Sequence, residues 1–171
     1  EIYTLSLHDA LPICVRMKIL ITGASSTLGN NLTSELLKTE QFSIRLLKHK
    51  SSVRIENCEV FQGDIQDIDS LTKACSDIDT VVHLAAITHS SSGKAYFEIN
   101  EDGTKSLIAA CKEKNVRRFV FVSSAAASEE GGDYGVSKLR CEELVRKSGL
   151  DWVILRPSEV YGVKMEEGIG K

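Results

Sequence analysis

The stretch Lys18–Gly29, KILITGASSTLG, restricts what this chain can fold into more than any other. Three consecutive aliphatic residues, Ile19, Leu20 and Ile21, run into Thr22-Gly23. A continuous apolar run of this kind suits a strand buried on both faces of a parallel sheet. A loop of small residues follows. Leu28, Leu32 and Leu36 then recur at i, i+4 and i+8, with Leu37 beside them, which predicts an amphipathic helix to about Lys38. Strand, tight turn and helix is the order in which a parallel sheet presents a helix N-terminus to an anion. The same order also makes plain βα turns that hold nothing.

The rest of the chain alternates in the same way. Strands are predicted at Phe42–Lys48, Cys58–Phe61, Thr80–Ala86, Phe119–Ser123 and Trp152–Leu155. Helices are predicted at Ile68–Cys75, with Asp67 as its cap, at Gly93–Asn115 with Phe97, Leu107, Ile108 and Cys111 inward, and at Tyr134–Lys147. There is no hairpin signal, so the expected fold class is α/β, a doubly wound parallel sheet. With 171 residues the chain can bury one core. A net charge of −3 offers no basic surface for nucleic acid, and no apolar run nears the ~20 residues of a membrane span. The five cysteines are scattered, without C-x-x-C or zinc spacing. They read as reduced, mostly packed thiols of a cytoplasmic protein, with no metal site.

Both ends stand apart. Residues 1–16, EIYTLSLHDALPICVR, lack the basic start and cleavage site of a signal peptide. They resemble translated sequencing-adaptor read-through and are expected to be a non-native or disordered extension. One domain is expected over residues 17–163. Residues 164–171 are read as the stub of a truncated C-terminal substrate lobe.

Four groups of residues carry candidate chemistry. The turn after the first strand fits T-G-x-x-G-x-x-G at Gly23 and Gly29, but Ser26 fills the middle position. Its Cβ falls where a phosphate would approach, and its hydroxyl could donate to that phosphate. About 20 residues further, where a dinucleotide site reads the adenosine ribose, stand Lys48, His49 and Lys50 with no acid, which favours NADP over NAD. The plain alternative is a set of solvated strand-end charges. Asp64, after Gly63, ends the third strand, where a carboxylate can reach an adenine amino group or simply make a turn. Tyr134 and Lys138 are four apart on one helix face. An ammonium ~4 Å from a phenol, at an effective dielectric of ~20, supplies roughly 4 kcal/mol. That could lower the tyrosine pKa from ~10 by up to about 3 units. Alone, the spacing also describes a surface pair. The preceding strand ends in Ser123-Ser124, so a hydroxyl can face the same substrate oxygen. His83 reads as a packed strand histidine, His89 with Ser90–Ser92 as a polar loop over the site mouth, and Trp152 as core.

TGASSTLG, GDI (63–65), HLAA (83–86), INEDGT around Asn100, VSS (122–124), YGVSK and LRPSEVYG (155–162) occur in one order. Over Met17 to about Gly162 the chain resembles the N-terminal, Rossmann part of extended short-chain dehydrogenases/reductases of the NAD-dependent epimerase/dehydratase type. The resemblance implies a nicotinamide cofactor, NAD or NADP. Gly23, Ser25, Ser26, Leu28 and Gly29 would line the pyrophosphate, Lys48 the adenosine ribose, and Asp64 with Ile65 the adenine. Leu84, Ala85 and Ala86 would pass the second ribose, and Ser123, Pro157 and Ser158 would lie toward the nicotinamide. Tyr134 would be the acid/base. Lys138 would hold ribose hydroxyls and depress the tyrosine pKa, and Ser124 would polarise the substrate. A small-molecule substrate is implied, with a nucleotide sugar the first expectation and a carbonyl or hydroxysteroid substrate the alternative. A homodimer is a further expectation. Ser26 in place of glycine, Glu159 in place of the usual asparagine, and only nine residues between Ser124 and Tyr134 depart from the pattern. The short loop puts sugar-nucleotide recognition in doubt. The departures also keep open a non-catalytic dinucleotide-binding sensor or assembly module.

Overall fold

The computed structural model describes residues 16–50, 55–158 and 160. The readings placed on residues 1–15, Glu159 and residues 161–171 lie outside the described residues. Six parallel strands form one sheet in the order β3-β2-β1-β4-β5-β6. The strands are β1 (Met17–Thr22), β2 (Phe42–Lys48), β3 (Glu59–Gln62), β4 (Thr80–His83), β5 (Arg118–Val122) and β6 (Asp151–Leu155). The helices are α1 (Thr27–Leu37), α2 (Ile68–Ala74), α3 (Gly93–Tyr96), α4 (Asp102–Glu113) and α5 (Gly132–Arg146). Strand order reverses between β1 and β4, which makes their C-terminal ends a switch point where ligands of such sheets bind.

Each element follows from its residues. Leu20 and Ile21 of β1 are fully buried and pair with Arg45 and Leu46 on one side and Val81 and Val82 on the other. The Asp67 side chain caps α2 by accepting from the Asp69 amide. The predicted helix Gly93–Asn115 is one run, α3 to α4, interrupted by a π-helical turn at Phe97–Glu101, where the Asp102 amide reaches back to Phe97 O. The predicted fourth strand stops at His83, because Leu84–Ala86 leave the sheet and close over the end of β1.

Among the described residues the two faces of the sheet are unequally covered. Against one face, Leu71, Leu107, Phe119, Phe121, Cys141 and Val145 form a core with α2, α4 and α5. On the other face α1 packs over β1 and β2. Beside it an apolar groove of about 770 Å³ runs along the strands, lined by Leu28, Leu32, Leu36, Val82, Val120 and Leu155 among others. The leucine stripe of α1 therefore borders an open groove, while Gly29 and Thr33 make the buried contact. Trp152, expected in the core, is 40% exposed: β6 is the last strand of the sheet, and no strand covers its outer edge among the described residues. Cys75 and Cys111, far apart in sequence, meet in the core with their sulfurs 4.0 Å apart. Among the described residues no helix is long and apolar enough to cross a membrane.

Candidate active site

The turn after β1 is shaped by two close approaches. Gly23 has φ +74°, and a Cβ on it would stand 2.6 Å from the Ala85 amide nitrogen and 2.7 Å from the Leu84 carbonyl carbon. Only glycine combines that conformation with that contact. A Cβ on Gly29 would come 2.5 Å from Gly23 O, so glycine lets α1 start directly against the turn. Ser26 caps α1. Its hydroxyl accepts from the Gly29 amide at 3.0 Å and donates to Gly23 O at 2.8 Å. The hydroxyl proton expected for a phosphate is thus committed inside the turn. Helix geometry leaves the Thr27 and Leu28 amides without partners in the helix. No acidic side chain occupies the first turn, so its positive end is not neutralised by its own residues. Ser25 is exposed beside this end, and the Leu28 side chain turns into the apolar groove. A cradle that any Cβ would fill, next to a capped, uncompensated helix start, fits a pyrophosphate.

The ends of β1 and β4 are joined by a buried polar chain. The Leu84 amide donates to Thr22 O at 3.1 Å and the Ala85 amide to Thr22 Oγ1 at 3.3 Å. Thr22 Oγ1 lies 2.6 Å from His83 Nδ1, and His83 Nε2 lies 3.0 Å from Thr104 Oγ1. Thr104 donates its proton to Asn100 O at 2.6 Å. It must therefore accept from Nε2–H, which leaves Nδ1 to accept from Thr22. Burial, aided by the Lys138 charge, pushes the His83 pKa down to about 3, so the ring stays neutral. His83 is the packed strand histidine expected of it. Asn100 does more than its motif suggested. Buried in the π-helical turn, it accepts from the Ile87 amide (2.8 Å) and donates to Ile87 O (3.1 Å) and Ser137 Oγ (3.2 Å). It thereby ties the loop after β4 to α5. π turns of this kind are frequent at functional sites.

Tyr134 and Lys138 sit on α5 as expected, but they do not face one another as a simple pair. Lys138 is 2% exposed; its Nζ donates to Val122 O at 2.8 Å and lies 4.3 Å from the centre of the Phe121 ring. Burial lowers its pKa to about 8. Burial raises the Tyr134 pKa above its usual value, while a hydrogen bond with Ser124 pulls the other way. The expected depression by Lys138 is not what this arrangement produces, because the ammonium is directed at a backbone carbonyl. Ser124 also accepts from the Ala126 amide at 3.2 Å. The ring of Tyr96 packs edge-on against Tyr134 at 6.0 Å, and its hydroxyl accepts from the Ser90 amide at 2.8 Å. His89 is exposed in the same loop, 3.0 Å from Thr88 Oγ1.

Other expected positions are scattered around this centre. Lys48 ends β2, its carbonyl accepting from the Gly63 amide. The His49 ring meets the Asp64 carboxylate at 3.1 Å, and Asp64 also accepts from the Gln66 amide. The Ile65 side chain packs against Gly103 of α4. Pro157 is joined to the Ser124 loop, its carbonyl accepting from the Ala125 amide at 2.9 Å, and Ser158 beside it is exposed. Ser123 is buried with its hydroxyl lacking a regular partner, close enough to Glu142 to favour that group's ionised form. Glu142 escaped the sequence reading altogether. It is fully buried and bound by Arg156 and Arg146. Burial pushes its pKa up, but hydrogen bonds from Arg156, Ser123 and Arg146 outweigh this and hold it at about 2. Its signal was the spacing: Tyr134, Lys138 and Glu142 recur at i, i+4 and i+8 on one helix face.

The chain is similar to known proteins over most of its length. A family model described as NAD(P)H-binding matches residues 23–168. A UDP-glucose 4-epimerase of Vibrio cholerae is 30% identical over 172 residues, covering 84% of this chain and 52% of that protein. A 3 beta-hydroxysteroid dehydrogenase/Delta 5-->4-isomerase of Mycobacterium tuberculosis is 30% identical over 176 residues, with 85% and 47% covered. The crystal structure of UDP-glucuronic acid 4-epimerase from Bacillus cereus in complex with NAD superposes with a TM-score of 0.75 at 29% identity, covering 85% of this chain and 57% of that one. The chain thus spans about half the length of these relatives.

Proposed function

The chain belongs to the NAD(P)H-binding family, and we propose on that premise that it is the cofactor-holding part of an NAD(P)-dependent epimerase/dehydratase of the short-chain dehydrogenase/reductase type. The observation that carries the reading is the left-handed Gly23 turn, pressed against Leu84–Ala85 at the switch point of the sheet. The nicotinamide cofactor would supply hydride transfer to or from a substrate carbon. The residues to hold it are Gly23 with the Thr27 and Leu28 amides at the pyrophosphate, Lys48 and Asp64 toward the adenosine, and Leu84–Ala86, Lys138 and Pro157-Ser158 toward the nicotinamide. Lys48, with Lys50 close by and His49 drawn to Asp64, suits a 2′-phosphate and so favours NADP.

Tyr134 moves the proton. With its pKa raised, the phenol is protonated at neutral pH and suits the step in which a carbonyl oxygen gains a proton, which is the second half of an epimerase cycle and the whole of a reduction. Ser124 hydrogen-bonds the same oxygen. A nucleotide sugar is the first substrate class, supported by UDP-sugar epimerases among the relatives. The nine-residue Ser124–Tyr134 loop and the hydroxysteroid relative support a second reading, net reduction or oxidation of another carbonyl or alcohol. We expect a small-molecule substrate, a cytoplasmic setting and a homodimer. Incubation with UDP-glucose and catalytic NAD(P), and separately with carbonyl compounds and stoichiometric NAD(P)H, distinguishes the two. Sugar interconversion without net cofactor change supports the epimerase; net NAD(P)H oxidation supports the reductase. Neither activity, in a protein carrying the whole substrate lobe, would leave the non-catalytic module.

A further inference from the structure

Glu142 lies one helical turn beyond Lys138 and two beyond Tyr134, and its side chain has no solvent exposure. Its Oε1 accepts from Arg156 Nε at 2.6 Å and its Oε2 from Arg156 Nη2 at 2.7 Å. This is the two-point fork in which a guanidinium is fixed in direction as well as position. Arg146 adds a third bond to Oε2 at 2.7 Å. Arg156 is the first residue after β6 and directly precedes Pro157-Ser158. On either side of it, backbone bonds run to the Ser124 loop: Ser123 N to Leu155 O at 2.7 Å and Ala125 N to Pro157 O at 2.9 Å. One buried carboxylate therefore joins the helix of Tyr134 and Lys138, the loop of Ser124, and the segment leaving β6.

We propose that Glu142 is a positioning residue: through Arg156 it sets the Pro157-Ser158 segment against the nicotinamide end of the site, without acting on the adenosine end. The proposal rests on the dinucleotide reading above. Stability alone is a poor explanation of the pair, since Glu142 is fully buried while Arg156 is partly exposed, and desolvating a carboxylate is often no better than packing an apolar residue there. What the fork supplies is direction, at a place where the chain leaves its strand. The sheet order also separates the two ends. β6 lies two strands beyond β4, so it stands roughly 14 Å from β1 at ~4.8 Å per strand.

The test compares affinities of NADH and ADP-ribose for the 171-residue chain and for Glu142→Gln, Arg156→Gln and the neighbouring control Glu143→Gln, with thermal melts alongside. We expect ~10-fold or more weaker NADH binding in the first two variants, ADP-ribose binding within about 2-fold, and no change in the control. Equal weakening of both ligands would mean a merely structural role, and unchanged NADH binding would mean no role; either overturns the proposal. If Glu142→Gln does not fold, Arg156→Gln decides by the same ratio, because Arg156 is partly exposed and its loss leaves Glu142 paired with Arg146. Failure of the unmodified chain to bind either ligand would remove the dinucleotide reading, and the positioning role of Glu142 with it.

Discussion

On the β1 side of the switch point the candidate site is made of backbone: a left-handed glycine, a capped helix start and the Thr27 and Leu28 amides that helix geometry leaves without intrahelical partners. On the β5–β6 side it is made of buried side chains, with Lys138 on Val122 O, Asn100 on Ile87 and Ser137, and Glu142 on Arg156. The first half is local in sequence, indifferent to pH and intolerant of a single added carbon. The second is assembled from residues up to 37 apart in sequence and depends on which of its groups are ionised. The Gly23 turn is a shape; the other half is an electrostatic arrangement held in place by burial.

Mutations can break this contrast. The largest effect should follow Tyr134→Phe, which removes the proton and little else. Turnover of whichever substrate is identified should fall 10²–10⁴-fold, on the order expected for a general acid/base. NADH affinity and melting temperature should hardly move. Retained turnover would sink the acid/base role. Next comes Gly23→Val, which imposes a side chain on a φ of +74° and drives it into the Leu84–Ala85 backbone. NADH affinity measured by titration should drop by ~100-fold or more, from strain of a few kcal/mol.

The electrostatic half should show itself in pH. Lys138 has a folded pKa near 8, below the ~10.4 of an unfolded chain. Between these values the unfolded chain binds more protons, so this group's contribution to stability rises with pH; below about pH 8 its full cost is present. Denaturant melts should show the unmodified chain gaining roughly 2 kcal/mol on Lys138→Met between pH 7.5 and 10. A difference that is flat with pH would contradict the buried charge. The smallest effect sharpens the shape half. Ser26→Ala loses the cap and should cost ~1 kcal/mol, whereas Ser26→Gly should cost only a few tenths and leave NADH affinity intact or improved. Weaker binding by the glycine variant would show that the serine hydroxyl serves the phosphate after all.

Much of the fold was legible because its signals are local. The apolar run of β1, the Asp67 cap and the strand–helix alternation led to the parallel sheet. Gly23, Gly29, Tyr134, Lys138 and Ser124 were visible as motif positions, and the structure brings them to the C-terminal ends of the strands. What escaped depends on pairing across distance. Nothing near Glu142 says that a guanidinium 14 residues on will return to it. The π-helical turn that buries Asn100 has no sequence mark, and Lys138 could not be seen to prefer a carbonyl over the phenol. Trp152 was misplaced for a related reason: its sequence says strand, but not that the strand is the last in the sheet.

On the proposed reading this chain holds a nicotinamide dinucleotide at the Gly23 turn. Fluorescence titration of NADH and NADPH into a protein beginning at Met17, with a thermal melt to establish folding, tests it most directly. Saturable binding of both is expected, tighter for NADPH if Lys48 meets a 2′-phosphate. A cooperatively folded protein that binds neither would contradict it.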